Sequence, residues 1–330
     1  MQPRFHWASF AALFAVVAFA STADLTVEIK EYDVPTPRAR PHDPAVGRDG
    51  SLWVTEQGAN KLGRLDLNTG QFREYPLKTP DSGPHGLVAD QDGNIWFTAI
   101  SKGYVGKLNP ETGEVTEYRM PDKREVDPHT PVFDQSGILW FTAEESSYIG
   151  RLDPKTGDIK LQATPTLHAV PYGIVVNGKG VPFFCEFGTN RLASIDPKSL
   201  AIREYPLPEG ARPRRLALAP DGTVYYSDYA RGYLGHFYPA TGRAEEWVSP
   251  GGPGSEPYGI AVTPDGMVWY SESGVKPNTL VRFDPKTKTF ASRGIPSGGG
   301  VVRNMAVAPD GRIYLACSGV NKVAIVTPGH

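Results

Sequence analysis

The chain reads as an all-β protein, a closed ring of seven four-stranded blades, and three observations predict this. The phrases "DGSLWVTE", "DGNIWFTA", "SGILWFTA", "KGVPFFCE", "DGTVYYSD", "DGMVWYSE" and "DGRIYLAC" recur, with glycines at Gly50, Gly93, Gly137, Gly180, Gly222, Gly266 and Gly311. Their spacing of 42 to 45 residues is that of one blade of a β-propeller. No segment holds a helical period, whereas Asp-Gly between alternating apolar residues is a hairpin signal. Finally, the two ends of the chain fit together. The last unit stops at "NKVAIVTPGH" after its third strand, and "LTVEIKEYDVP" near the start matches the fourth strands "QFREYPL", "EVTEYRM" and "AIREYPL". The N-terminal strand is therefore expected to close the last blade and remove an exposed edge.

Within a unit the elements follow in order. An innermost strand such as "GLVAD" leads through the Asp-Gly turn into a second, "NIWFTA"; "YVGKLN" follows, then a "PETG" turn, then "EVTEYRMP". The aromatic slot three residues after each turn glycine holds Trp53, Trp96, Trp140, Phe183, Tyr225, Trp269 and Tyr314. Every unit has one whatever surrounds it, so these are expected to pack between blades and not to stack on a ligand.

Ahead of the repeats, "MQPRFHWASFAALFAVVAFASTAD" has a basic start at Arg4, an apolar run to Ala20, and small residues at Ala18, Ala20, Ser21 and Ala23. That is the pattern of a secretory signal peptide over residues 1–23, too short for a comfortable membrane span. The expected product is a single propeller domain, residues 24–330, monomeric and secreted or periplasmic. The formal net charge of −2 becomes about −3 without the leader, and neither nucleic acid nor membrane insertion suits that balance. Cys185 and Cys317 fall in different repeats, so buried thiols are expected in preference to a disulfide.

In a propeller the starts of the innermost strands and the ends of the second strands share one face around the central channel. At the first of these positions the seven units carry His42, His85, His129, Tyr172, Arg214, Tyr258 and Arg303. Three successive histidines at one position suggest a site, although duplication of a blade could copy a harmless one. In "DPHTPVFDQSGILWFTAE" a two-residue hairpin centred between Ser136 and Gly137 would oppose His129 directly to Glu144, with Asp127 on the same face. Two carboxylates and an imidazole could bind a hard cation and leave the histidine as a base near neutral pH; a solvated salt-bridge cluster would look the same. Glu256 and Glu272 frame Tyr258, but Glu272 is one residue short of the register of Glu144 and is expected on the other face. Arg212, Arg214, Arg215 and Arg303 could hold a substrate carboxylate bidentately, or serve as solubilising charge. No G-x-S-x-G, H-E-x-x-H, P-loop or paired C-x-x-C is present.

The phrases "ARPHDPAV", "SGPHGLVADQDGNIWFTA", "PYGIVV" and "EPYGIAVTPDGMVWYSE", with "NKLGRLD", "YVGKLNPETG" and "YIGRLDPKTG", resemble the virginiamycin B lyase (streptogramin B lyase) family through residues 24–330. The resemblance implies a seven-bladed propeller that opens a cyclic ester or depsipeptide by elimination with Mg2+ as electron sink, an antibiotic-resistance activity. It implies His129 as general base, His85 as substrate-positioning or leaving-group partner, and Asp127 and Glu144 as magnesium ligands or orienters of the base. His42, Tyr172, Arg214, Tyr258 and Arg303 would then contact substrate around the mouth. Asp127 departs from the family, which has glutamate there, and the constellation falls in the second and third units and not the last two. Two rival readings remain: a metal-dependent lactonase or esterase on a six-bladed propeller, and a non-catalytic propeller that binds a ligand or protein.

Overall fold

The computed structural model describes residues 23–121 and 126–329. The expected leader lies outside the described residues except for Ala23. Among these residues the chain forms seven sheets in a ring, blades 1 to 6 spanning residues 41–76, 84–119, 128–163, 171–206, 213–248 and 257–294. Blade 7 joins three C-terminal strands to Val27–Asp33, which pairs antiparallel with Lys322–Pro328 from Val27↔Pro328 to Asp33↔Lys322. The expected closure is thus the observed one. The two-residue strand Ala23–Asp24 adds in parallel to the outer edge of blade 6.

The blades form because a short, nearly continuous run of apolar and small residues gives each second strand two faces to bury, and all five of its positions are buried in every blade. A strand buried on both faces must be sandwiched, and here its neighbours are the adjacent blades. Trp53 of blade 1 shares a buried cluster with Leu87, Ile95 and Phe97 of blade 2, and Trp140 of blade 3 shares one with Ile174, Val176 and Phe184 of blade 4. The aromatic slot is therefore inter-blade packing, each ring contributing about 2–3 kcal/mol by burial. Trp96 and Trp140 also donate Nε1–H to Asp90 and Asp134 in their own turns, at 2.8 and 2.9 Å.

A hydroxyl relay locks neighbouring blades together near the axis. Thr98 accepts from the Gly86 amide at 2.8 Å and donates to the carbonyl of His129 in the next blade at 2.6 Å. Thr55, Thr142, Ser227 and Ser271 repeat the link. Cys185 takes the same place as a thiol, donating to the Arg214 carbonyl at 2.9 Å. Both cysteines are free and buried. In blade 7 the position is Ala316, so the joint between the last and first blades is made differently: Tyr314 donates to the Gly50 carbonyl at 2.7 Å.

Candidate functional site

The innermost strands carry a bulge at the point that matters. In blade 3 the pairing runs Phe133↔Leu139, Val132↔Trp140 and Pro131↔Phe141, then shifts to Pro128↔Ala143, so His129 and Thr130 together face Thr142 alone. The same shift follows the first residue of the inner strand in all seven blades. A bulge bends the strand and re-aims side chains. Here it turns two consecutive residues of each blade toward the axis.

This corrects the expected hairpin. The turn runs from Asp134 to Ile138, with the Asp134 carboxylate accepting from the amides of Ser136 and Ile138 and Gly137 at φ +83°. The strand partner of Glu144 is Asp127, by a 3.4 Å amide-to-carbonyl bond, not His129. Even so, the bulge swings His129 back, and its Nε2 lies 3.4 Å from Glu144 Oε2. Asp127 does not point at the imidazole: its carboxylate accepts from the amides of Glu145 and Ser146 and from the Ser146 hydroxyl. It anchors the turn that carries Glu144. Glu272, as expected from its register, is turned away and bonded to Ser249 and the Gly251 amide.

The first residues of the bulges line the mouth. His42, His85 and His129 pack side by side with tilted rings, centroids 3.8 and 3.9 Å apart, and Tyr172 follows His129 at 4.0 Å. The Tyr172 and Tyr258 hydroxyls touch, while Arg214 lies over Tyr258 at 3.8 Å. Arg303 donates to Ser318 at 3.1 Å. All seven predicted mouth residues are therefore brought to one ring. The residues that follow the second strands form an outer wall, with Glu144 on the histidine side and Phe187 and Tyr229 on the arginine side.

Beneath the mouth lies a tier that the sequence reading did not separate. Arg215, expected at the mouth, is buried there and donates to Asp43 at 2.8 Å and to Thr130 at 3.0 Å. Asp43 also takes a 3.0 Å bond from Asn304 and a 2.9 Å contact from His42 Nδ1. The glycines of this tier exist because the strands converge: a Cβ on Gly86 would sit 2.2 Å from the His129 carbonyl. One Asp and one Arg in a repeat position otherwise filled by Gly, Thr and Asn was the available signal. Arg212 bonds its own neighbourhood, the Ala211 carbonyl.

Electrostatics set the protonation states. Burial, reinforced by neighbouring charges that include Arg215, holds His42, His85 and His129 well below the usual histidine range. They are neutral imidazoles, so the contact from His42 to Asp43 is a hydrogen bond from Nδ1–H, since a carboxylate only accepts. Burial, then the charges of Glu145 and Asp127, push the Glu144 carboxyl up to about 7. His129 Nε2 and His85 Nδ1 are buried without hydrogen-bond partners. Among the described residues, His42, Asp43 and His85 form a cluster with metal-ligand spacing, but the Asp43 oxygens are already taken by Arg215, Asn304 and His42.

The architecture has solved counterparts. A streptogramin B lyase structure is 24% identical, with a TM-score of 0.84 over 92% of this chain and 98% of the other. A catalytically inactive virginiamycin B lyase from Staphylococcus aureus with quinupristin is 21% identical, with a TM-score of 0.82 over 92% and 99%. Hydrazine synthase from Kuenenia stuttgartiensis is 15% identical, with a TM-score of 0.74 over 88% and 96%. At these identities the likeness is one of fold alone, and a fold does not by itself fix a function. No curated protein sequence matches the chain significantly. The model of the virginiamycin B lyase family matches residues 14–283, most of the sequence, and the chain belongs to that family.

Proposed function

We propose that the chain is a carbon–oxygen lyase that opens a cyclic ester or depsipeptide of the streptogramin B type at the channel mouth. The observation that carries this reading is His129 Nε2, a buried and unpartnered nitrogen 3.4 Å from Glu144 Oε2. A neutral imidazole held so is a base waiting for a proton. The Thr130 hydroxyl, 2.8 Å from His129 Nδ1, can accept Nδ1–H beside its bond from Arg215, which leaves the lone pair on Nε2.

His129 then takes the proton from the carbon adjacent to the one bearing the ester oxygen. The C–H pair becomes the new C=C bond, the C–O bond breaks, and its electrons leave on a carboxylate. His85, packed beside the base, positions the substrate. His42, Tyr172, Arg214, Tyr258 and Arg303 shape the rim that receives it. Mg2+ suits Glu144, whose carboxyl is crowded by Glu145 and Asp127 and would be relieved by a hard cation. Asp127 backs that position from the turn. Bound there, the ion would supply an electron sink for the carbonyl next to the reacting carbon.

Export to the periplasm or beyond is supported by the leader pattern; no described helix is long and apolar enough to cross a membrane. The test is mass spectrometry of a streptogramin B antibiotic incubated with the protein and Mg2+, with EDTA, and with His129→Ala. A linear product of unchanged mass, lost in both controls, is expected. A product heavier by one water would identify a hydrolase, and no turnover would move the reading to a binding propeller.

A further inference from the structure

Arg214 stands out by what it lacks. Among the described residues it forms no ion pair, whereas Arg215 next to it is paired with Asp43. Its guanidinium is held among Tyr258, Tyr229, Phe187 and Tyr172, at 3.8, 4.3, 4.9 and 5.0 Å from the ring centroids. Nη2 makes a long 3.4 Å bond to the Tyr172 hydroxyl, the Tyr229 hydroxyl is a second polar neighbour, Glu144 acts on the guanidinium only through charge, and Nε is buried with no partner. Glu256, on the same wall, accepts from Tyr229 at 2.8 Å.

Ring faces attract a cation, but they cannot accept the fork of N–H groups that a guanidinium presents in its plane. Taking that cation from water with no carboxylate in contact is costly, and the loss is recovered when a ligand brings a planar anion. We propose that Arg214 is a carboxylate subsite of the mouth, walled by Tyr172, Phe187, Tyr229 and Tyr258 and lying across Tyr172 from His129 and Glu144. The subsite deepens the lyase reading, which offers two sources for the carboxylate. It is a substituent that the cyclic ester carries, or the group released when the C–O bond gives its electron pair to the ester oxygen.

The test begins with binding and needs no turnover. Hexanoate and hexanamide, alike in shape and different in charge, are titrated calorimetrically into the full-length mature protein, Arg214→Lys, Arg214→Gln and His129→Ala. Circular dichroism melts confirm that each is folded. The parent is expected to prefer hexanoate by about tenfold, the scale of a charge-assisted bidentate bond. Arg214→Gln abolishes that preference and Arg214→Lys keeps part of it. His129→Ala retains it in full, so a failed lyase reading would leave the subsite standing. Where turnover is found, Arg214→Gln lowering kcat on a neutral cyclic ester assigns the released carboxylate. The same variant raising only KM, on an ester with a free carboxylate, assigns the substituent. Absence of preference in the parent, including no binding of either probe, overturns the proposal, as does preference that survives in folded Arg214→Gln.

Discussion

Asp43 and Arg215 span the channel beneath the mouth, both almost wholly buried and 2.8 Å apart. Breaking such a pair from one side strands the other charge. Asp43→Asn is expected to lower stability by about 3 kcal/mol in urea denaturation, and Asp43→Asn with Arg215→Met to cost less than the two single changes summed. Glu186 offers a pH test away from the mouth. Burial, then the charge of Glu204, push its carboxyl up to about 8, and Oε1 has no partner. The folded state thus keeps a proton that the unfolded chain releases near 4.5, the ordinary value for a glutamate. That contribution is complete below this value and is lost as pH rises through about 8. Glu186→Gln should therefore melt increasingly above the parent between about pH 5 and pH 9, by about 2 °C at the alkaline end. At this scale the mouth histidines were legible as a repeat position. The pairing of Asp43 with Arg215 was not, because 172 residues separate them and only ring closure makes them neighbours.

The element that makes the site is the bulged inner strand. Thr142 holds it in blade 3, accepting from the Thr130 amide at 3.2 Å and donating to the Tyr172 carbonyl at 2.6 Å. Thr142→Val keeps the shape and orphans both groups, so a loss of about 2 kcal/mol is expected. Because the bulge aims His129, catalysis or ligand binding should fall more than stability alone accounts for, as read by activity at a temperature where both proteins are fully folded. The "IGRL" phrase has an equally plain cause. A Cβ on Gly150 would lie 2.0 Å from the Phe141 ring, so the aromatic of the second strand occupies the space over the third. Strands and turns were legible because alternation and Asp-Gly are local. The bulge was not, since a one-residue offset leaves no mark on the apolar pattern until hydrogen bonds show which residues pair; hence the expected opposition of His129 to Glu144 became one of Asp127 to Glu144.

For the whole molecule, closure is the decisive contact. Leu25 and Val27 are buried in a cluster with Val302, Leu315 and Val326, so the segment that leads into and opens the closing strand covers the last blade. A chain beginning after Asp33 is expected to lose cooperative melting and to aggregate, because an unpaired edge and an apolar face open together. Removing only Ala23 and Asp24, both exposed, should shift the melting temperature by less than about 2 °C. Circular dichroism and soluble yield distinguish the two truncations.

Taken alone, the amino-acid sequence determined the blade count, the strand order within a blade, the closing strand and the set of side chains at the mouth. Each follows from short-range periodicity copied seven times, and the number of copies, with the strand match between the two ends, gives the blade count. Only the tertiary structure decided what those side chains do to one another. It set which carboxylate meets His129, which arginine is neutralised and which is left among aromatic rings. Those outcomes depend on convergence at the axis, where blades distant in the chain come within hydrogen-bond reach and burial fixes which groups hold their charge.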